Sequence, residues 1–251
     1  MPHLKQRLLK TDDRVALHVC TIPSPVVTQA MAAAGADGVI IDLEHGAVDY
    51  ASAHAMIAAT AGTRCAPLVR VAENDASLVK RALDLGAEGI CFPLIRTADD
   101  ARRAVASMRY PPHGTRGFGP FIAQSRWQTD LPNIRADTED NLVTMLLIET
   151  REAVENIDEI CAVEGVDILV TAMFDLTTDL GVMGQFDHPE VQAAVEKVER
   201  AAFSAGIPLG SNALDETMAK SLFERGYRAI AGFDALWIRA KTAEFRAWTR
   251  A

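Results

Sequence analysis

The sequence predicts an α/β protein, a (β/α)8 TIM barrel, from three observations. Short apolar runs alternate with longer helical patterns almost to the C-terminus. The runs are continuously apolar rather than alternating, as parallel strands covered by helices require. A cadence also recurs, in AGADGVIID, LGAEGICFP, VEGVDILVT and RGYRAIAGF. In each, a small or glycine-containing turn ends a helix, and the apolar strand that follows stops at a polar or small residue. A length of 251 residues suits one such barrel. A doubly wound open sheet is the main structural rival.

Taken in order, the expected strands are Val15–Cys20, Gly38–Asp42, Ala66–Arg70, Gly89–Pro93, Leu142–Glu149, Ile168–Thr171, Ile207–Gly210 and Ala229–Gly232. Helical patterns cover Ser77–Leu85, Ala98–Met108, Glu152–Cys161, Glu190–Ala205 and Glu216–Arg225. Thr97 offers a cap for the second of these, and Asp99 and Asp100 an acidic first turn that suits the helix dipole. The segment Tyr110–Asp140 breaks the cadence. Its Pro111, Pro112, Gly114, Gly117, Gly119, Pro120 and Pro132 are poor material for regular structure. A rim loop or assembly element is expected at about 110–140. The final helical stretch carries Leu236, Trp237, Ile238 and Phe245, an apolar set expected to dock on the barrel or within an oligomer. Residues 1–251 are expected to form one catalytic domain.

Charge and composition narrow the function. The formal charge is −9, with no basic tail or Lys/Arg cluster, which argues against nucleic acid as a partner. An anionic substrate must then be held by a local positive site. No run of about 18 apolar residues suggests a membrane span, and MPHLKQRLLKTDD lacks the apolar core of a secretory signal. A cytoplasmic protein is the default expectation. Cys20, Cys65, Cys91 and Cys161 are scattered through apolar segments, as reduced buried thiols would be.

Parallel barrels bind ligands at the carboxyl ends of their strands. That directs attention to Asp42 with Glu44 and His45, and to Arg70, Glu149, Asp175 and Asn212. Glu149 ends LVTMLLIE, and Asp175 ends ILVTAMFD. Two neighbouring buried carboxylates would repel and rise in pKa. A hard divalent cation, Mg²⁺ or Mn²⁺, resolves that conflict and leaves positions open for substrate. The competing reading makes each acid a helix cap or a salt-bridge partner. Arg70 follows CAPLV, where a guanidinium suits a carboxylate or a developing enolate oxygen, or else pairs with Glu73 or another rim acid.

His45, in IIDLEHG, is placed to relay a proton if a carboxylate fixes its tautomer, with a surface histidine as the rival reading. Asp84 would supply that carboxylate only through folding or across a subunit contact. His18, in the first strand, is a weaker candidate for the barrel mouth. YPPHGTRGFGP has neither the Walker pattern nor a dinucleotide fingerprint. Its Arg116 either contacts substrate or anchors the loop to an acid, and Trp127 is expected to pack the loop against a neighbouring subunit.

These residues lie in segments that resemble the HpcH/HpaI family of metal-dependent 2-oxo-acid aldolases: AGADGVIIDLEHG, PLVRV, YPPHGTRGFG, IETREAVENIDEI and VEGVDILVTAMFDLTTDLG, followed by HPEV. The resemblance covers nearly the whole chain. It implies a class II aldolase that reversibly cleaves a 4-hydroxy-2-oxo acid into pyruvate and an aldehyde. Glu149 and Asp175 become ligands of Mg²⁺, Mn²⁺ or Co²⁺, with water and a 2-oxo acid completing the coordination. Arg70 is assigned to the substrate oxygen where enolate charge appears. Asp42 and His45 match the family's acidic and histidine positions, and Asp84 matches the histidine's partner. His45, with a metal-bound water, would remove the 4-hydroxyl proton. The resemblance also implies a homo-hexamer built as a trimer of dimers whose last helices exchange.

Several positions depart from the family pattern. Ala172, Met173 and Phe174 precede Asp175–Leu176 where the family carries GPxDL, adding bulk where backbone amides receive the substrate carboxylate. Leu147 stands for a glutamine, Val19 for a bulky aromatic and Leu43 for a glycine. A drier, reshaped pocket with a different aldehyde or acyl partner is expected. The alternatives are another metal-enolate lyase or hydrolase of the same superfamily, and a non-catalytic scaffold that binds small acids.

Overall fold

The computed structural model describes residues 3–10 and 13–250. Eight parallel strands close in sequence order: β1 (Val15–Cys20), β2 (Gly38–Asp42), β3 (Ala66–Arg70), β4 (Gly89–Phe92), β5 (Val143–Ile148), β6 (Ile168–Thr171), β7 (Leu209–Asn212) and β8 (Ala229–Phe233). Closure runs from Val15 opposite Ala229 to Val19 opposite Phe233. Helix α1 (Leu4–Leu8) precedes β1. The following helices are α2 (Pro25–Ala33), α3 (Tyr50–Ala58), α4 (Ala76–Asp84), α5 (Ala98–Met108), α6 (Ala123–Trp127) and α7 (Ile134–Thr138). After β5 come α8 (Arg151–Glu155), α9 (Ile157–Cys161), α10 (Met173–Asp179), α11 (Pro189–Ala205), α12 (Glu216–Glu224) and α13 (Asp234–Ala247). Among the described residues no helix is long and apolar enough to cross a membrane.

Strand alternation sorts the core into two clusters. Leu17, Val19, Ile40, Leu68, Met145, Val170 and Ala231 point inward, and Leu4 and Leu8 of α1 join them. Val39, Ile41, Val69, Ile90, Leu146 and Leu169 point outward against the helices. Burying each large aliphatic side chain contributes about 1.5–3 kcal/mol. Local chemistry starts the helices: Ser24, Asp49, Asp75, Thr150 and Asp215 each accept a first-turn amide. Thr97 and Asp100 form the reciprocal capping box at α5. At the amino ends of the strands, Arg7 and Arg64 share Asp37 at 2.8 and 3.0 Å, and Lys5 reaches Asp167 at 3.0 Å. Those pairs fasten α1 below the barrel and leave the carboxyl ends open.

The structure corrects the sequence reading in places. Glu152–Cys161 is two helices, α8 and α9, parted at Asn156, whose side chain donates to Arg96 O at 3.0 Å. A short amide competes with the helix for backbone partners, and the helix yields. β7 begins at Leu209 rather than Ile207, after Pro208, which has no N–H for the ladder. The 110–140 excursion contains α6, α7 and a 3₁₀ turn, and Tyr110 N donates to Glu139 at 2.8 Å to tie its ends together. Trp127 packs partly buried within its own chain, against the core and beside the His3 ring at 5.5 Å.

His18 points outward, 4.9 Å from the Trp237 ring, and so does not reach the barrel mouth. Gly232 makes that packing feasible, because a Cβ there would lie 2.0 Å from the indole. All four cysteines are free and buried, as expected.

Candidate active site

Register sets the first part of the site. Asp42 and Arg70 are direct partners at the carboxyl ends of β2 and β3. Arg70 donates Nε to Asp42 Oδ1 at 2.8 Å and Nη2 to Oδ2 at 2.6 Å, a bidentate pair. Asp42 is fully buried, and its Oδ1 also accepts from Glu44 N and His45 N at 3.1 and 3.3 Å. Burial pushes the Asp42 carboxyl up, but Arg70's hydrogen bonds and charge outweigh it and hold the group below its ordinary value. Burial likewise opposes the guanidinium charge, and the Asp42 pairing overrides it and raises the Arg70 pKa. The turn beyond the pair requires glycine, since a Cβ on Gly46 would sit 2.3 Å from Asp42 O.

Glu149 supplies the second part. It follows β5, is 5% exposed, and accepts Leu94 N on Oε1 at 2.5 Å. Leu94 takes φ +54 to present that amide, a left-handed conformation that a branched residue seldom adopts. Burial, reinforced by the charges of Asp175 and Glu44, pushes the Glu149 carboxyl up to about 7. Glu44 is raised too, by burial and then by Asp42 and Asp175, against the pull of Arg70 and His45. Asp175 stands exposed in the first turn of α10. Glu149 and Asp175 are thus oxygen donors within electrostatic reach of each other, and a hard divalent cation would offset both the burial of charge that chiefly lifts Glu149 and the repulsion that adds to it. Among the described residues no three His, Cys, Asp or Glu side chains form a ready-made cage, so water and substrate would have to complete the coordination.

The remaining expected residues fall at several distances from this centre. His45 is at the rim with its side chain 64% exposed, and its Nε2 lies 3.7 Å from Glu44 Oε2. Asp84 does not meet His45 within one chain: it accepts from Arg116 Nη2 at 3.0 Å, and Arg116 lies over the Tyr110 ring. Arg116 therefore anchors its loop. Ala172 is buried, with its amide committed to Ile148 O at 3.2 Å, so that N–H is not free for a substrate carboxylate. Phe174 is partly exposed and meets Phe186 edge-on at 5.1 Å. Arg70, Asp175, Ala172 and Phe174 line the top of a cavity of about 60 Å³ that continues into the barrel. Sequence reasoning gave Glu44 no role and missed Leu94, for which the only signal was its place just past the end of β4.

A pH effect follows from Glu149. Its folded pKa lies above the unfolded value, so the folded protein binds more protons than the unfolded chain between the two. Stability therefore falls as pH rises from about 4.5 to about 7, by on the order of 3 kcal/mol for this group without a cation. Chelator-treated protein should unfold more easily at about pH 8 than at about pH 5, and Glu149→Gln should lose that component. Superimposable pH–stability curves for the two proteins would contradict the burial argument.

Residues 19–239 match the sequence pattern of the HpcH/HpaI aldolase/citrate lyase family. The chain is 35% identical over 243 residues to a pyruvate aldolase of Rhizobium etli, covering 96% of this chain and 95% of the relative. It is 34% identical over 220 residues to a hydroxypyruvate/pyruvate aldolase of Roseovarius nubinhibens, covering 87% and 85%. A crystal structure of a HpcH/HpaI aldolase/citrate lyase family protein from Burkholderia cenocepacia superposes with a TM-score of 0.91, at 32% identity and 99% coverage of both chains. The chain therefore belongs to the HpcH/HpaI aldolase/citrate lyase family.

Proposed function

We propose that the protein is a divalent-cation-dependent class II aldolase. It reversibly cleaves a 4-hydroxy-2-oxo acid into pyruvate, or a related 2-oxo acid, and an aldehyde. The observation that carries this reading is the buried Glu149 carboxyl, pushed up to about 7 and within electrostatic reach of Asp175 and of an Arg70 already locked onto Asp42. Membership of an aldolase/lyase family, and relatives named for pyruvate and hydroxypyruvate, support the substrate class.

Glu149 and Asp175 would hold Mg²⁺, Mn²⁺ or Co²⁺, which when bound polarises a 2-oxo group. The chain's own residues do the rest. Asp42 occupies one edge of the Arg70 guanidinium, so the remaining N–H donors stay aimed at the substrate oxygen that gains negative charge. Because that donor is fixed beforehand, little reorganisation is needed as the charge grows. His45, at the solvent side, takes the 4-hydroxyl proton in cleavage and returns it in addition. Asp84 orients His45 across a subunit contact, while Phe174 shapes the place where the acid is received.

The exposed last helix supports an assembly. Residues 235–249 are all exposed, including Trp237, Ile238 and Phe245. A homo-hexamer of paired barrels that exchange these helices would cover them, and light scattering should report six copies; a monomer would refute this.

The decisive assay strips the protein of metal, restores Mg²⁺, Mn²⁺ or Co²⁺, and offers pyruvate with short aldehydes while products are identified. Cation-dependent formation of 4-hydroxy-2-oxo acids is expected. No carbon–carbon product with any of the three ions would reject the aldolase reading.

A further inference from the structure

We infer that the upper barrel lumen is an apolar subsite for an alkyl substituent on carbon 3 of the 2-oxo acid, so that straight-chain acids longer than pyruvate are preferred nucleophiles. This rests on the aldolase reading above. Barrel interiors are ordinarily filled by bulky branched side chains, yet here β7 and β8 contribute Gly210, Ala229 and Ala231 to the lumen, where Val19 and Leu147 also line the cavity. The result is the cavity of about 60 Å³. At roughly 30 Å³ for each water-sized group, it has room for about two.

Chemistry and position select the occupant. The side chains below Arg70 and Asp175 are almost wholly apolar, so water there would find few partners. A carboxylate on carbon 3 would be buried without a counter-charge, at high cost. An alkyl chain fits both conditions. Position then decides which reactant carries it. Arg70 and Asp175 line the cavity and also belong to the centre that anchors the acid, so the cavity opens directly beneath the anchored fragment. His45, which handles the hydroxyl derived from the aldehyde, lies on the opposite, solvent side. The aldehyde therefore arrives from above, and the substituent of the anchored acid points down into the lumen. Each methylene buried there should strengthen binding about fourfold.

The test is exchange of carbon-3 protons for deuterons in heavy water, followed by NMR on the metal-loaded protein, with no aldehyde present. Pyruvate, 2-oxobutanoate and 2-oxopentanoate are compared. Two added methylenes should lower KM for 2-oxopentanoate by about tenfold or more relative to pyruvate. Val19→Phe and Ala231→Leu, which fill the lumen, should each cut the kcat/KM ratio of 2-oxopentanoate to pyruvate at least tenfold. Both should also raise the midpoint of thermal unfolding, since they replace a void with contacts, and that confirms folded protein. Exchange of pyruvate with no preference for longer acids, or a ratio that neither variant moves, would overturn this inference alone. Absence of exchange with every acid, pyruvate included, would overturn the aldolase reading along with it.

Discussion

Glu149→Ala and Asp175→Ala should each lower cation-stimulated carbon–carbon turnover by on the order of a thousandfold or more while leaving a folded barrel. The activity loss is expected because, on the proposed reading, Glu149 and Asp175 would be the chain's two oxygen donors to the ion, and removing either would leave one. The fold should survive for different reasons at the two positions. Glu149 is buried at a pKa of about 7, so its ionised form opposes folding, and its described hydrogen bond is the one from Leu94 N. Removing the side chain forfeits that bond but also removes the desolvation cost. Asp175 is exposed and forms no salt bridge among the described residues. Circular dichroism would check the fold, and calorimetric titration with Mn²⁺ would separate lost ion binding from lost chemistry. Full activity in both variants would reject the assignment.

Much of this was legible before the structure. Continuous apolar runs betray strands buried on both faces, and the end of each run marks the mouth of the barrel, which is why Asp42, Arg70, Glu149 and Asp175 stood out. What the sequence hid depends on contacts between strands. Whether Arg70 pairs with Glu73 or with Asp42 is decided by the β2–β3 register, which places Asp42 opposite it. The Leu94 amide matters only because β4 ends beside Glu149, and its positive φ leaves no trace in residue type. The cavity likewise exists because Gly210, Ala231 and Val19 all line one lumen, although they are far apart in the chain. Local chemistry was more transparent: the Thr97 cap could be read directly, whereas the break at Asn156 needed knowledge of where Arg96 lies.

Arg70→Ala should damage stability and catalysis together, and the two effects can be separated. Asp42 is fully buried, and Arg70 is its only ion-pair partner among the described residues. Removing the guanidinium leaves an uncompensated charge, at a cost of about 3–5 kcal/mol. Turnover should also fall by roughly a hundred- to a thousandfold, the usual effect of losing a donor aimed at a developing oxyanion. The double variant Arg70→Met with Asp42→Leu removes both charges and should recover most of the stability without recovering kcat. Chemical denaturation reads the first effect and the aldolase assay the second.

A purely structural Arg70 would predict that activity returns with stability in the double variant, which would exclude its role at the substrate oxygen. The pH dependence gives an independent check on Asp42. Its folded pKa lies below the ordinary carboxylate value, so its stabilisation is present above about pH 4 and is lost as pH falls through the folded pKa. Asp42→Asn should lack that acid component. It should also lower kcat more than it raises KM, because in the proposed mechanism Asp42 aims Arg70 at a charge that is largest in the transition state.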